Sequence, residues 1–267
     1  MSDPSPSTAA LPATATEPDR HLPGRRAIVV GASSGMGAAL VRLLAREGYV
    51  VHALARREAE LAELAAACAD APGQVVTHVH DVTDTPAVAP LFEDCVRHMG
   101  GLDLFVFAAG VMPAVGPDEY DTEKDFLQLS VNLAGCMAWC NRAALYLQSR
   151  RSGHIVGISS IAGDRGRKGN PAYHTSKAGM STYLESLRNR LAAHDVRVTT
   201  IKPGFIDTPM TAGMDGLFWL ITADQAADAI LEAVRGRAAT RYVPFRWLWV
   251  ALVIRHIPSV LFKKLNF

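Results

Sequence analysis

The stretch RRAIVVGASSGMGAALVRLLAREG, residues 25–48, decides the fold class of this chain. It opens with a short apolar run rich in β-branched residues, which is typical of a buried strand. A cluster of glycines follows, and then a segment whose apolar residues have helical spacing and which ends at Gly48. A strand that turns through glycines directly into a helix is the start of a βαβ unit. We therefore expect strands and helices to alternate along the chain.

The rest of the sequence continues this alternation to about residue 243. Its strands are apolar on both faces, as in a parallel sheet that is covered by helices on both sides. The predicted fold is a single α/β domain of the doubly wound Rossmann type with a parallel seven-stranded sheet, which binds its ligands at the carboxyl ends of the strands. The further strands are predicted at residues 49–55, 74–80, 102–110, 153–160, 196–204 and 240–244.

The composition is that of a globular protein. Hydrophobic residues make up 49% of the 267 residues and charged residues 20%, which argues against a disordered or fibrous chain. The net charge of +1 gives no overall field that would attract nucleic acid. The four cysteines form no CxxC pair and no Cys/His group with zinc-ligand spacing. We therefore expect no metal site and a reducing, cytoplasmic location.

Three segments are predicted along the chain. Residues 1–24 are rich in Pro, Ser, Thr and Ala, lack the features of a signal peptide, and are expected to form a disordered leader. Residues 25–243 form the Rossmann domain, and residues 244–267 form an apolar and basic extension.

The glycine-rich turn GASSGMG, residues 31–37, predicts a phosphate cradle after the first strand. Glycine permits the unusual backbone angles of a tight turn and the close approach of the main chain to a pyrophosphate. An ordinary turn is the alternative, but the position in a βαβ unit favours a nucleotide. The residues assigned to this cradle are Gly31, Ser33, Ser34, Gly35, Met36 and Gly37.

The end of the second predicted strand indicates which dinucleotide is bound. NAD-binding folds usually carry an acid there, which holds the ribose 2′-OH. This chain has Ala55 at that place, followed by Arg56 and Arg57. An arginine can bind a 2′-phosphate through a charge-assisted fork, so NADP(H) is predicted. The alternative is a pair of solvated arginines at a helix start.

Seven separated motifs resemble those of the short-chain dehydrogenase/reductase family and occur in its order over roughly residues 25–243. One departure is plain, because Phe107 and Ala108 stand where the family has two asparagines, which puts the local hydrogen bonding in doubt. The motifs are GASSGMG (31–37), DVT (81–83), AAG (108–110), SVNLAG (130–135), ISSIAG (158–163), YHTSK (173–177) and PGFIDTPM (203–210).

The resemblance implies a catalytic set and further cofactor contacts. It places the catalytic serine thirteen residues before the tyrosine, which is Ser160 rather than Ser159, and the latter is expected to face the backbone or a neighbouring helix. It also implies a homodimer or homotetramer through the helices that carry the site. The catalytic residues are Asn132, Ser160, Tyr173 and Lys177, and the further cofactor contacts are Asp81, Val82, Ala109, Gly110, Pro203, Gly204, Ile206 and Thr208, together with Tyr173 and Lys177.

These residue types suit hydride transfer at a carbonyl. A free tyrosine has a pKa of about 10, and an ammonium one helical turn away favours the phenolate and lowers that pKa. Ser160 would donate to the substrate oxygen, and Asn132 would position a water that relays protons to Lys177. The alternatives are structural, since Asn132 could cap or kink its helix and Ser160 could satisfy backbone groups in a turn.

The segment MTAGMDGLFWL, residues 210–220, is the predicted substrate lid. Met210, Met214 and Phe218 are assigned to the substrate, and their apolar character suggests a hydrophobic carbonyl or alcohol. Simple packing on the domain is an equally weighted alternative. The basic loop GDRGRKGN, residues 163–170, could meet an acidic substrate, but we expect its charges to be solvated.

The C-terminal extension combines apolar bulk with positive charge. No acidic residue follows Glu232, whereas seven Arg and Lys residues do. Residues 245–265 could therefore lie on a membrane surface, as a peripheral contact on its inner face, with Pro258 as a helix break. Two alternatives stay open: the extension covers the substrate opening, or it packs across a subunit interface.

The leading prediction is an NADP(H)-dependent oxidoreductase that acts on a small-molecule carbonyl/alcohol pair. A non-catalytic nucleotide-binding scaffold is the alternative, as is a membrane-docked structural partner. The four catalytic residues speak against both, because a protein without turnover has no chemical need for all of them.

Overall fold

The computed structural model describes residues 25–265, so the leader predicted for residues 1–24 lies outside the described residues. Seven strands form one parallel sheet in the order β3-β2-β1-β4-β5-β6-β9, which confirms the predicted sheet. The order reverses between β1 and β4, and this switch point opens a crevice at the carboxyl ends of the strands. The strands are β1 Arg26–Val30, β2 Val50–Ala55, β3 Gln74–Val79, β4 Leu104–Phe107, β5 His154–Ile158, β6 Arg197–Pro203 and β9 Thr240–Val243, and a separate two-stranded sheet holds β7 Ile206–Asp207 and β8 Ile221–Thr222.

Helices cover both faces of the large sheet, as the apolar character of the strands requires. One hydrophobic layer lies under α1 and α7, and the other lies under α3, α5 and α6. The helices are α1 Gly35–Arg46, α2 Glu58–Ala67, α3 Thr85–Met99, α4 Thr122–Leu129, α5 Gly135–Arg150, α6 Pro171–Leu191, α7 Ala223–Arg235, α8 Trp247–His256 and α9 Ser259–Phe262.

A π-helical segment, Ser130–Ala134, lies between α4 and α5 and joins them into one long helical region. Asn132 stands at the centre of this segment and its side chain is fully buried. Single π-helical turns inside α-helices are frequent at functional sites. The Asn132 side chain contacts the loop that follows β4.

The C-terminal extension packs on the Rossmann domain through α8. Trp247, Ala251 and Ile254 are buried, and the first two join Ile161 and Tyr242 in a small apolar cluster. The Trp247 indole lies so close to Gly204 that a Cβ at Gly204 would be 2.0 Å from it. Only glycine at position 204 therefore leaves room for Trp247 and lets the extension pack here.

An acidic residue before α6 holds the extension, the edge strand β9 and its neighbour β6 together. The Asp164 carboxylate, whose side chain is 1% exposed, pairs with the Lys202 ammonium on β6. It also accepts a hydrogen bond of 2.9 Å from the Tyr242 hydroxyl on β9. Arg255 of α8 approaches it to 3.9 Å. Because these four residues come from four different elements, Asp164 is a structural junction.

The prediction that the charges of residues 163–170 are solvated is wrong for Arg165. Its guanidinium donates to the carbonyl oxygens of Ile254 and Ile257 at the end of α8. It also lies 3.8 Å from the centroid of the Phe262 ring. The cation thus satisfies unpaired carbonyls at a helix C-terminus, which is where the helix dipole favours positive charge.

Within residues 25–265, every helix is too short or too polar to cross a membrane.

Candidate active site

The glycine-rich turn lies at the switch point, with its backbone packed against the end of β4. Gly31 has φ +92°, and a Cβ there would lie 2.3 Å from the backbone nitrogen of Ala109. A Cβ on Gly37 would lie 2.1 Å from the carbonyl oxygen of Gly31. Both positions therefore exclude any side chain, and the first turn of α1 opens directly onto the crevice. Free N–H groups and the helix dipole make this end of α1 a site for a phosphate.

Two arginines border the same turn at the end of β2. The Arg57 guanidinium donates to the hydroxyl oxygens of Ser33 and Ser34 at 2.9 Å and 2.7 Å. Arg56 is half exposed and lies 3.6 Å from the Asp81 carboxylate. Arg57 also pairs with Glu60 at 3.0 Å, so two arginines, each beside a carboxylate, border the phosphate turn.

Most of the predicted cofactor residues line this crevice, and six further residues that were not predicted line it too. Asp81 is at its edge, where its carboxylate accepts from the Thr83 backbone and hydroxyl at 2.9 Å and 2.8 Å. Pro203, Gly204, Ile206, Tyr173 and Lys177 are outside the lining, although the Lys177 ammonium lies close to Gly110, which lines it. The predicted lining residues are Gly31, Ser33, Ser34, Gly35, Met36, Gly37, Arg56, Arg57, Val82, Ala109, Gly110, Thr208 and Met210, and the others are Ala55, His80, Ala108, Val111, Val131 and Pro209.

Tyr173 and Lys177 lie one turn apart on α6 and are both buried. Asn170 begins this helix, since its side-chain oxygen accepts from the Tyr173 backbone N–H at 3.2 Å. The Lys177 ammonium donates to the carbonyl oxygen of Ile158 at 2.9 Å, at the end of β5. It lies 5.8 Å from the centroid of the Tyr173 ring. The spacing in the sequence therefore does bring the two side chains together.

The two serines after β5 face different ways. The Ser160 hydroxyl oxygen accepts from the Ala162 backbone N–H at 3.0 Å and lies beside Tyr173. Ser159 turns its hydroxyl to the backbone of α6 and donates to the Lys177 carbonyl oxygen at 2.9 Å. The structure thus agrees with the expected difference between the two serines.

The Asn132 amide binds the loop after β4 to α6. Its oxygen accepts from the Val111 backbone N–H at 2.7 Å, and its nitrogen donates to the Val111 carbonyl oxygen at 3.0 Å. The nitrogen also donates to the Ser176 hydroxyl at 3.1 Å. These bonds hold the loop after β4 against α6 at Val111, three residues beyond Ala108.

Burial dominates the electrostatics of the site. Burial raises the pKa of Tyr173, while the neighbouring Ser160 hydroxyl and the positive charge of Arg167 act in the opposite direction. Burial lowers the pKa of Lys177 to about 8. Both groups are therefore tuned by a water-poor environment, which is common where proton transfer occurs.

The expectation of solvated loop charges is also wrong for Arg167. Burial lowers the pKa of its guanidinium, and its Nε is buried without a hydrogen-bond partner among the described residues. A guanidinium stays charged even so. No sequence pattern indicates that Arg167 is buried near Tyr173, because the loop that carries Arg167 has no regular spacing relative to Tyr173.

The predicted substrate residues divide into two groups. Met210 lines the crevice, and its methyl group lies close to Gly110. Met214 and Phe218 are outside the lining and are 43% and 51% exposed. Phe218 packs in an aromatic cluster with Phe205, Trp219 and Trp247. The lid segment is thus joined to the C-terminal extension.

Comparisons with known proteins agree with this architecture. The sequence profile of the short chain dehydrogenase family matches residues 25–215. An uncharacterized oxidoreductase of Staphylococcus epidermidis is 33% identical over 209 residues, which cover 78% of this chain and 90% of that protein. A 3-oxoacyl-[acyl-carrier-protein] reductase of Thermotoga maritima is 33% identical over 191 residues, which cover 72% of this chain and 78% of that protein. A solved short-chain type dehydrogenase/reductase from Mycobacterium ulcerans shares the fold, with a TM-score of 0.76 at 23% identity over 82% of this chain and 87% of that chain.

The chain belongs to the short-chain dehydrogenase/reductase family, and it is an oxidoreductase of the CH–OH/C=O class. Enzymes of this family use NAD(P) cofactors, and the crevice at the switch point is where such a dinucleotide binds in this fold.

Proposed function

We propose that this protein is an NADP(H)-dependent oxidoreductase that interconverts a hydrophobic carbonyl compound and its alcohol. The observation that carries the proposal is the buried group of Ser160, Tyr173 and Lys177 beside a glycine-walled crevice with two arginines at its rim. A scaffold without turnover would have no use for a buried lysine next to a buried tyrosine, because burying such groups costs stability.

The crevice fits a dinucleotide phosphate. Gly31 and Gly37 leave no room for a Cβ, which lets main-chain N–H groups reach a pyrophosphate. Arg56 and Arg57, with the hydroxyls of Ser33 and Ser34, would hold a 2′-phosphate in place of the carboxylate that holds a free 2′-OH. When bound, a nicotinamide cofactor supplies or accepts the hydride.

The proton chemistry belongs to α6 and the end of β5. In carbonyl reduction, the Tyr173 hydroxyl gives its proton to the substrate oxygen, and in alcohol oxidation the phenolate takes a proton from the alcohol. The Ser160 hydroxyl donates a hydrogen bond to the same oxygen and polarises the carbonyl group. Arg167 places positive charge near the phenol and favours its ionised form, although burial has the larger effect and raises the pKa of Tyr173. The expected lowering of this pKa by Lys177 is not found, and the Lys177 ammonium lies 5.8 Å from the centroid of the Tyr173 ring. Asn132 positions the loop that closes the site from the side of β4.

The apolar lid supports a hydrophobic substrate. Met210 faces the crevice, and Met214 and Phe218 follow it in the sequence as exposed apolar residues of the same segment. Apolar walls with a few convergent polar groups are typical of small-molecule sites.

Cofactor preference and substrate are tested together. A screen of hydrophobic ketones, aldehydes and secondary alcohols with NADPH, NADH and their oxidised forms is expected to give turnover, with tighter binding of NADPH. Arg57→Gln is expected to weaken NADPH binding by about 10- to 100-fold, as for a lost charge-assisted hydrogen bond, and to leave NADH binding nearly unchanged. Arg97→Gln, which removes an exposed arginine of α3, is the control. Equal affinities for NADPH and NADH in the unmodified protein would refute the preference.

We also propose that the outer face of the C-terminal extension contacts an anionic membrane surface at the cytoplasmic side. Trp249 and Val253 are each 63% exposed on α8, and Val260 and Leu261 are exposed on α9. Basic residues flank them and no acid follows Glu232. Sedimentation with anionic vesicles at low salt is expected to bring the protein into the pellet, and Trp249→Ser with Val253→Ser to release it. Protein that stays in the supernatant would refute this contact.

A homodimer or homotetramer is proposed through α4, α5 and α6. Phe126, Leu127, Met137 and Leu145 are exposed on α4 and α5, and exposed apolar residues on neighbouring helices support an interface between copies. Light scattering is expected to give twice or four times the mass of the chain. A monomer at micromolar concentration would contradict the proposal.

A further inference from the structure

Two histidines and a cysteine meet in the layer between the sheet and α3. His52 on β2 is 1% exposed, Cys95 on α3 is fully buried, and His78 on β3 is half-buried. The His52 Nδ1 lies 2.7 Å from the His78 Nε2, and the latter atom lies 3.7 Å from the Cys95 Sγ. The three potential ligand atoms all lie within 4.8 Å of one another. We call these three residues the His–His–Cys cluster.

The cluster adjoins one of the two hydrophobic layers. Val50 and Leu54, two residues either side of His52 on β2, belong to this layer together with Val88 and Phe92 of α3. Three ligand-type side chains in such a layer are unusual, because buried polar groups lower stability unless they are partnered. The cluster lies outside the crevice lining and has no part in the chemistry proposed above.

We propose that the His–His–Cys cluster binds a divalent zinc ion through His52 Nδ1, His78 Nε2 and Cys95 Sγ. Zinc takes imidazole nitrogen and thiolate sulfur in tetrahedral sites, and its bond lengths place such ligand atoms roughly 3.3–3.6 Å apart. The observed separations need side-chain shifts of about 1 Å or less to meet that geometry, well within what these side chains can adjust. A water would complete the coordination from the side of His78, which is half-buried on the edge strand β3.

A fourth histidine supports this orientation of His52. The Nδ1 of His98, an exposed residue of α3, lies 3.0 Å from the His52 Nε2. Metal-bound histidines usually donate their other ring N–H to such a partner, which fixes the tautomer of the ligand. With His52 Nε2–H donating to His98, the Nδ1 lone pair accepts from His78 Nε2–H in this structure. It would turn to the ion once His78 carries its proton on Nδ1, which frees both nitrogens as ligands. Binding then releases one proton, from the Cys95 thiol.

The ion would brace the part of the sheet that leads to the crevice rim. It links β2, β3 and α3, and the ends of β2 and β3 lead to Arg56 and Asp81, which form an ion pair of 3.6 Å. Zinc binding is therefore expected to stabilise the folded protein through mass action, with a melting temperature that rises with the zinc concentration.

The test uses the full-length chain without a polyhistidine tag, stripped of metal and dialysed against zinc at micromolar concentration. One ion per chain is expected, and His78→Gln and Cys95→Ala are each expected to weaken binding by about tenfold or more. His256→Gln and Cys68→Ala, which change a histidine and a cysteine far from the cluster, are the matched controls. Near-UV circular dichroism checks that each variant is folded.

Cobalt(II) gives a second readout that needs no variant. A cobalt ion bound by the cluster has a thiolate-to-metal charge-transfer band in the near ultraviolet, because sulfur is a ligand. Absence of bound zinc, absence of this band in the unmodified protein, or equal zinc binding by the cluster variants and the controls would each overturn the proposal.

Discussion

The substitution Asp164→Asn tests the junction between the active-site loop and the C-terminal extension. It keeps the shape of the side chain but removes the charge that pairs with Lys202, whose side chain is 11% exposed against 1% for Asp164. Breaking one partner of a buried ion pair costs about 3–5 kcal/mol, because the other charge stays buried without compensation. We expect a loss of unfolding free energy in that range. Burial also raises the pKa of Tyr242, so its hydroxyl stays protonated and donates to Asp164.

The assay is the free energy of unfolding from urea denaturation, with thermal melting as a second measure. A loss of 3–5 kcal/mol corresponds to a melting temperature lower by roughly 6–20 °C for a chain of this size. Asp195→Asn is the control, because its pair with Arg151 is exposed on both sides and such pairs contribute about 0–1 kcal/mol.

A second variant separates the charge effect from simple disruption. Asp164→Asn with Lys202→Met removes both charges, and it is expected to recover part of the stability lost in the single variant. A cost below about 1 kcal/mol for Asp164→Asn would show that the pair is not desolvated as the structure indicates. No recovery in the double variant would show that the loss has a cause other than the unpaired Lys202 ammonium.

Three further predictions follow from single contacts. Gly204→Ala puts a Cβ 2.0 Å from the Trp247 indole, so we expect a loss of about 1–3 kcal/mol in the free energy of unfolding. We also expect α8 to be displaced, with a red shift of tryptophan fluorescence. An unchanged spectrum would contradict this packing. Arg167→Gln removes a charge that lowers the pKa of Tyr173, so the acid limb of the pH profile for alcohol oxidation should move to higher pH; an unmoved limb would contradict the assigned influence. Burial lowers the pKa of His154 to about 4, against about 6.5 in an unfolded chain. Between pH 4 and 6.5 the unfolded state binds more protons than the folded state. The contribution of the buried, neutral His154 to stability is therefore complete above pH 6.5 and decreases as the pH drops toward 4. His154→Gln should flatten this acid limb in urea titrations, and an equally steep limb would contradict the prediction.

The features that depend on local patterns were predictable from the sequence. Apolar runs and helical spacing gave the seven sheet strands and the main helices, because burial on both faces of a parallel sheet imposes such patterns. The turn at Gly31 was predictable from its cluster of glycines. The proximity of Tyr173 and Lys177 was predictable because residues four apart on a helix lie on the same face.

The features that depend on contacts between distant segments were not predictable. Asp164 meets Lys202 across 38 positions, and His52 meets His78 and Cys95 only once β2, β3 and α3 have packed. Arg167 lies in an irregular loop, so no period in the sequence directs it toward Tyr173. The packing of Trp247 against Gly204 is likewise a tertiary contact, which the apolar composition of the extension does not predict.

The most direct test of the proposed chemistry is turnover by Tyr173→Phe with any carbonyl that the unmodified protein reduces. Phenylalanine keeps the ring and removes only the hydroxyl, so NADPH binding, followed by the fluorescence of the bound cofactor, should stay within about twofold of the unmodified protein. The rate of carbonyl reduction should fall by about 10²- to 10⁴-fold, the range expected for the loss of a general acid. A variant that binds NADPH and reduces the carbonyl at the unmodified rate would contradict the role of Tyr173 as the proton donor.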